Sequence, residues 1–189
     1  MLILGSKLLQ QPVMSLQTGG ELGRVSEAVI DPGTLAIVAY KVYSPLVHGT
    51  VYMRIEDCRE LSDIGFIVDS VDEFVAPGDI IKLDEVISYQ FHLVGTKVTD
   101  EKRSKLGKVS DYTIDIGTFT IQQLAVRRPL LRSLSDTELL IHRSQITEIN
   151  DSAIVVHSKA EIPEHTRLTT PGSYVNPFRK TKPAADSFD

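Results

Sequence analysis

Residues 20–45 read GELGRVSEAVIDPGTLAIVAYKVYSP, and residues 104–129 read SKLGKVSDYTIDIGTFTIQQLAVRRP. Set against each other at an offset of 84, the two stretches match at 11 of 26 positions. Leu22, Gly23, Val25, Ser26, Ile30, Asp31, Gly33, Thr34, Ile37, Val42 and Pro45 recur between Leu106 and Pro129. The likeness extends on both sides. PVMS at 12–15 stands against TKVT at 96–99, and CRELSDIGFIVDS at 58–70 against ITEINDSAIVVHS at 146–158, where the offset has grown to 88. The second copy therefore carries four extra residues between Pro129 and Ile146. Self-similarity on this scale marks a duplicated structural unit, and a unit of about 70 to 80 residues is a small domain rather than a solenoid repeat.

Each copy reads as β-structure. Short runs of Val, Ile and Tyr are punctuated by Gly, Asp and Pro about every ten residues, the pattern of a small all-β barrel or sandwich. Val38, Tyr40 and Val42 are expected on one face of a strand, with Gln122, Leu124 and Val126 as counterparts, while Lys41 and Arg127 hold the opposite, solvated face. IDPGT and IDIGT predict the hairpin turn between two strands. In that turn the carboxylates of Asp31 and Asp115 accept a local backbone N–H, and Gly33 and Gly117 supply a positive φ. Turn chemistry accounts for these aspartates without a catalytic or metal-binding role. Gly23 and Gly107 are expected to permit a tight entry into the following strand. A single glycine per copy is no phosphate loop, since neither a Gly-rich run nor a following Lys-Ser/Thr is present.

Composition narrows the function classes. The chain of 189 residues has a net charge of −5, which argues against a generic nucleic-acid or DNA binder. The charge is unevenly placed: residues 1–90 carry 6 basic and 13 acidic side chains, residues 91–189 carry 14 and 12. Cys58 is the single cysteine, so no internal disulfide framework exists. The apolar N-terminus is broken by Lys7, Gln10, Gln11 and Pro12, too early for a signal peptide or a membrane segment, and a cytoplasmic location is the default expectation. The expected division is a first module at 1–76, a connector at 77–90, a second module at 91–163 and a mobile C-terminal tail at 164–189. Pro77-Gly78 opens the connector with a turn, and Leu83 to Tyr89 predicts a short helix with Leu83, Val86 and Ile87 on one side.

The segments LGRVSEAVIDPGT, LGKVSDYTIDIGT and LLIHRSQITEINDSAIVV resemble the PRC-barrel domain, a small β-barrel known from the reaction-centre H subunit and the C-terminal half of the ribosome-maturation factor RimM. The resemblance implies two such barrels in tandem over roughly residues 4–75 and 88–160. It also implies a non-enzymatic adaptor that binds protein or ribonucleoprotein partners. The membrane helix of the H subunit has no counterpart here, and the N-terminal half looks like another PRC module rather than the different first domain of the ribosome factor. A ribosome-associated assembly role is the alternative expectation, and an enzyme with an unrecognised site a remote one.

A search for chemistry finds no catalytic constellation, metal site or cofactor motif. His48, His92, His142, His157 and His165 show no HxH or HxxxH spacing and no CxxC nearby. His142 and His157 could approach each other on adjacent strands. Cys58 is a candidate nucleophile on residue type alone, but Ile146 takes its place in the second copy, as a small buried hydrophobe would allow. Partner contact is expected instead where the copies differ. The longer loop of the second copy sets Arg127, Arg128 and Arg132 around Leu130, Leu131 and Leu134, and the tail segment YVNPFRK offers Phe178, Arg179 and Lys180.

Overall fold

The computed structural model describes residues 1–128, 138–150 and 152–157. The strands of the first copy are β1 (Leu2–Leu4), β2 (Pro12–Ser15), β3 (Glu21–Asp31), β4 (Ala36–Tyr43), β5 (Val51–Arg54), β6 (Glu60–Ser62), β7 (Gly65–Val68) and β8 (Phe74–Val75). Helix α1 (Ile81–Ser88) follows, and then β9 (Lys97–Asp100), β10 (Lys105–Asp115), β11 (Thr120–Arg127), β12 (Glu138–His142), β13 (Ile146–Ile149) and β14 (Ile154–Val156). The strand pairings repeat with the sequence. β2–β3, β3–β4, β4–β5 and β6–β7 are antiparallel and β2–β7 is parallel. In the second copy β9–β10, β10–β11, β11–β12 and β13–β14 are antiparallel and β9–β14 is parallel. The protein is mainly β, and among the described residues fourteen strands form one mixed sheet that does not close.

The internal identities have mechanical causes. Both long hairpins carry a β-bulge beside Ser26 and Ser110, and each hydroxyl donates to the opposite strand, to Lys41 O at 3.0 Å and Ala125 O at 3.1 Å. Gly23 and Gly107 lie inside β3 and β10 rather than at a turn. A Cβ there would overlap the carbonyl oxygen of Tyr43 or Arg127, so glycine is required by the close approach of the neighbouring chain.

A second bulge corrects the expected strand phase. Ile30 pairs with Ile37 and Val29 with Ala39, which leaves Val38 unpaired and on the outer side. The inward row of β4 is therefore Ile37, Tyr40 and Val42, and its counterpart is Ile121, Leu124 and Val126. Gln122 is the bulged residue of the second copy, which explains why that position tolerates a polar side chain. The match of PVMS to TKVT also moves by one residue. Pro12 faces Arg24 and Val13 faces Gly23, as Lys97 faces Lys108 and Val98 faces Gly107. The turn after β9 is one residue shorter than the turn after β2.

One hydrophobic cluster runs through both copies. Val13, Val25, Tyr40 and Phe66 join Val98, Val109, Leu124 and Ile154 in it, each almost fully buried. A smaller cluster lies on the outer face of the first copy, where Leu83 of α1 packs on Ala39 and Tyr52, with Ile87 alongside. A helix is thus present where Leu83 to Tyr89 predicted one; Leu83 and Ile87 of the expected side meet this cluster, and Val86 is half-buried outside it. The second copy differs here: Leu140 stands where Tyr52 does, and it is 44% exposed against 8%. No helix among the described residues is long and apolar enough to cross a membrane.

Candidate functional site

The two hairpin tips meet. β4 and β11 pair only through Ala36 and Thr120. On either side of that pair Ile37 N donates to Phe119 O at 2.9 Å and Ile121 N donates to Leu35 O at 2.8 Å. Ile37 and Ile121 are equivalent residues, as are Leu35 and Phe119, so the joint is self-complementary like the interface of a two-fold dimer. Leu35 and Phe119 both adopt left-handed backbone, φ 51° and φ 50°. That conformation is costly for a bulky side chain. It lets each residue bury its side chain in the core while its carbonyl reaches the other copy. The expected positive φ at Gly33 and Gly117 is therefore displaced two residues onward. The aspartates bond within their own turns: Asp31 accepts from Gly33 N at 2.9 Å and Thr34 Oγ1 at 2.7 Å, and Asp115 accepts from Gly117 N at 3.2 Å. The Gly117 amide, helped by the Met1 ammonium 3.1 Å away, holds the Asp115 carboxyl below the usual carboxylate range.

The copies also exchange their leading segments. β1 pairs with β10 of the second copy, Leu2 opposite Asp115 and Leu4 opposite Thr113. Gly5 lies against the ring of Tyr112, where a Cβ would collide with it, and Ser6 donates through its amide and hydroxyl to Asp111. In the reverse direction α1, which leads into the second copy, packs on β3 of the first.

Between the first hairpin tip and β13 runs a groove in two adjoining sections of about 560 Å³ each. Pro32, Tyr89 and Ile149 line both sections. Arg143 crosses the groove and donates to Thr34 O at 3.2 Å. β13 ends the path of strands, and among the described residues no strand lies on its outer side. Tyr89 projects at the groove with 59% of its surface exposed. Sequence reasoning missed this groove, because its walls come from segments about 30, 90 and 150 residues into the chain. Its one local signal was Tyr89 at the end of a connector helix.

The sequence-predicted contact residues lie elsewhere. Arg127 ends β11 on the surface, and Arg128 follows it half-buried. Leu130, Leu131, Arg132, Phe178, Arg179 and Lys180 lie outside the described residues. His142 and His157 take separate partners: the His142 ring bonds the Ser144 hydroxyl at 2.8 Å, and the His157 ring bonds Glu101 at 2.8 Å. Among the described residues no group of three His, Cys, Asp or Glu could hold a metal ion. Cys58 is half-buried against the core and its thiol donates to Glu60 O at 3.2 Å; burial pushes the thiol up, away from the reactive thiolate. No protein-family model and no curated protein matches the chain.

Proposed function

We propose that this chain is a non-catalytic adaptor made of two PRC-type barrel modules fused in tandem, and that it docks a protein partner along the groove beside β13. The observation that supports this reading most is a strand edge with no outer neighbour among the described residues, facing an exposed aromatic side chain across an open groove. A sheet edge offers a row of backbone donors and acceptors to an extended segment, and pockets beside it select side chains. Tyr89, Ile149 and Pro32 supply the apolar contacts, and Arg127 and Arg128 extend the contact surface at the far end of the second copy. Leu130, Leu131, Arg132, Phe178, Arg179 and Lys180, which lie outside the described residues, belong to the proposed contact set on their sequence alone.

The test is affinity capture with the full chain against Tyr89→Ala, Ile149→Asp and Arg127→Glu/Arg128→Glu variants. A partner held in stoichiometric amount by the parent chain and lost from the groove variants supports the reading. A partner retained by both groove variants refutes it. The excess of basic residues in the second half, 14 against 12 acidic, favours a ribonucleoprotein as the second class of partner. Co-sedimentation with ribosomal subunits that disappears with rising salt would select that class.

A further inference from the structure

A cavity of about 330 Å³ lies where the two copies face each other, and equivalent residues of both line it. Leu9 and Val94 correspond, because Gln10 N bonds Val25 O just as Gly95 N bonds Val109 O. Ser26 corresponds to Ser110 and Glu27 to Asp111, and all four line the cavity. Its size falls within the range of small-molecule sites, and its walls are largely apolar, with a few polar groups at defined positions. Leu9 and Val94, 40% and 53% exposed, form the lips.

The polar groups differ in how far they are already engaged. The hydroxyls of Ser26 and Ser110 donate across their bulges, and Ser110 also bonds Glu138. Asp111 accepts from Ser6 N, the Ser6 hydroxyl and Tyr112 N. Glu27 has no side-chain bond within direct hydrogen-bond distance among the described residues: His92 Nε2 lies 3.7 Å away, and Lys41 stands opposite Glu27 across the hairpin without closing an ion pair with it. The cavity thus pairs an apolar interior with a carboxylate that retains its acceptor capacity and a second carboxylate across the pseudo-two-fold axis. The geometry points to a binding site for an organic cation, an ammonium group on an apolar body, with the ammonium at Glu27 and the body against Leu9, Ala28 and Val94. An anion would meet two carboxylates, and a neutral apolar molecule would gain nothing from Glu27. This site is independent of the adaptor reading, since it lies on other residues than the groove contacts named above.

Calorimetric titration of the full chain with phenethylammonium at neutral pH tests it, with phenethyl alcohol as the uncharged counterpart. Saturable binding of the amine is expected, at least tenfold tighter than the alcohol and at least tenfold weakened by Glu27→Gln. Leu9→Trp, at the open lip, and Ala28→Phe, whose equivalent in the second copy is Tyr112, are each expected to abolish binding while circular dichroism stays unchanged. Absence of amine binding, equal affinity for the alcohol, or unchanged affinity in Glu27→Gln overturns the site. Glu27→Gln decides the matter even if a filling variant fails to fold, because Glu27 is half-exposed.

Discussion

Leu35 sits in a backbone conformation that normally favours glycine, yet its side chain is buried in the core. The two demands make a test. In ordinary strand, alanine is more stable than glycine. At position 35 the order is expected to reverse: Leu35→Gly and Leu35→Ala both lose core packing, but the glycine variant should be the more stable by about 1 kcal/mol in urea unfolding. Tyr40 poses a second residue-scale test. Its hydroxyl is fully buried without a partner among the described residues, so Tyr40→Phe is expected to be neutral or stabilising by up to about 1 kcal/mol. Burial pushes the Tyr40 phenol up strongly and the Tyr112 phenol up to about 12. A phenol that ionises near pH 10 when unfolded, but later when folded, leaves stability intact below about 10 and erodes it as pH rises between the two values. Absorbance titration should show these two phenols ionising only as the protein unfolds. A reversible titration of both near pH 10 would contradict their burial.

At the scale of elements, the bulges carry most of what the internal identities encode. Gly107 is placed where the Arg127 carbonyl crosses close to its α-carbon, so Gly107→Ala must push β10 and β11 apart and is expected to cost more than about 2 kcal/mol, measured by thermal and urea unfolding. Strand content, the hairpin turns and the duplication were legible in the sequence, because turn aspartates and inward aliphatic residues repeat at fixed spacing. Phase was legible only in part. A bulge inserts one residue without changing composition, and so Val38 reads as core while it faces outward. The leading segments were not legible at all. Leu2–Leu4 form a strand and residues 86–88, one repeat later, belong to a helix, because each packs on the opposite copy, which local pattern does not report.

At the scale of the molecule, the duplication has produced a joint as well as a second unit. Hairpin tips bond symmetrically, leading segments cross over, and one hydrophobic cluster spans both copies. The groove and the cavity exist only where the copies face each other, which is why residue-by-residue reading found neither: no motif carries them. Site chemistry expected at Arg127 and Arg128 rests on what the copies do not share, whereas both concave features found here rest on how the shared parts meet. The joint is therefore the central claim, and native-state hydrogen exchange of the Ile37 and Ile121 amides tests it most directly. If the tips are bonded as one sheet, both amides exchange only through global unfolding, with the same free energy as the core amides of Tyr40 and Leu124. Exchange of Ile37 and Ile121 at rates typical of open loops, with the core amides still protected, would show that the two copies are not joined there.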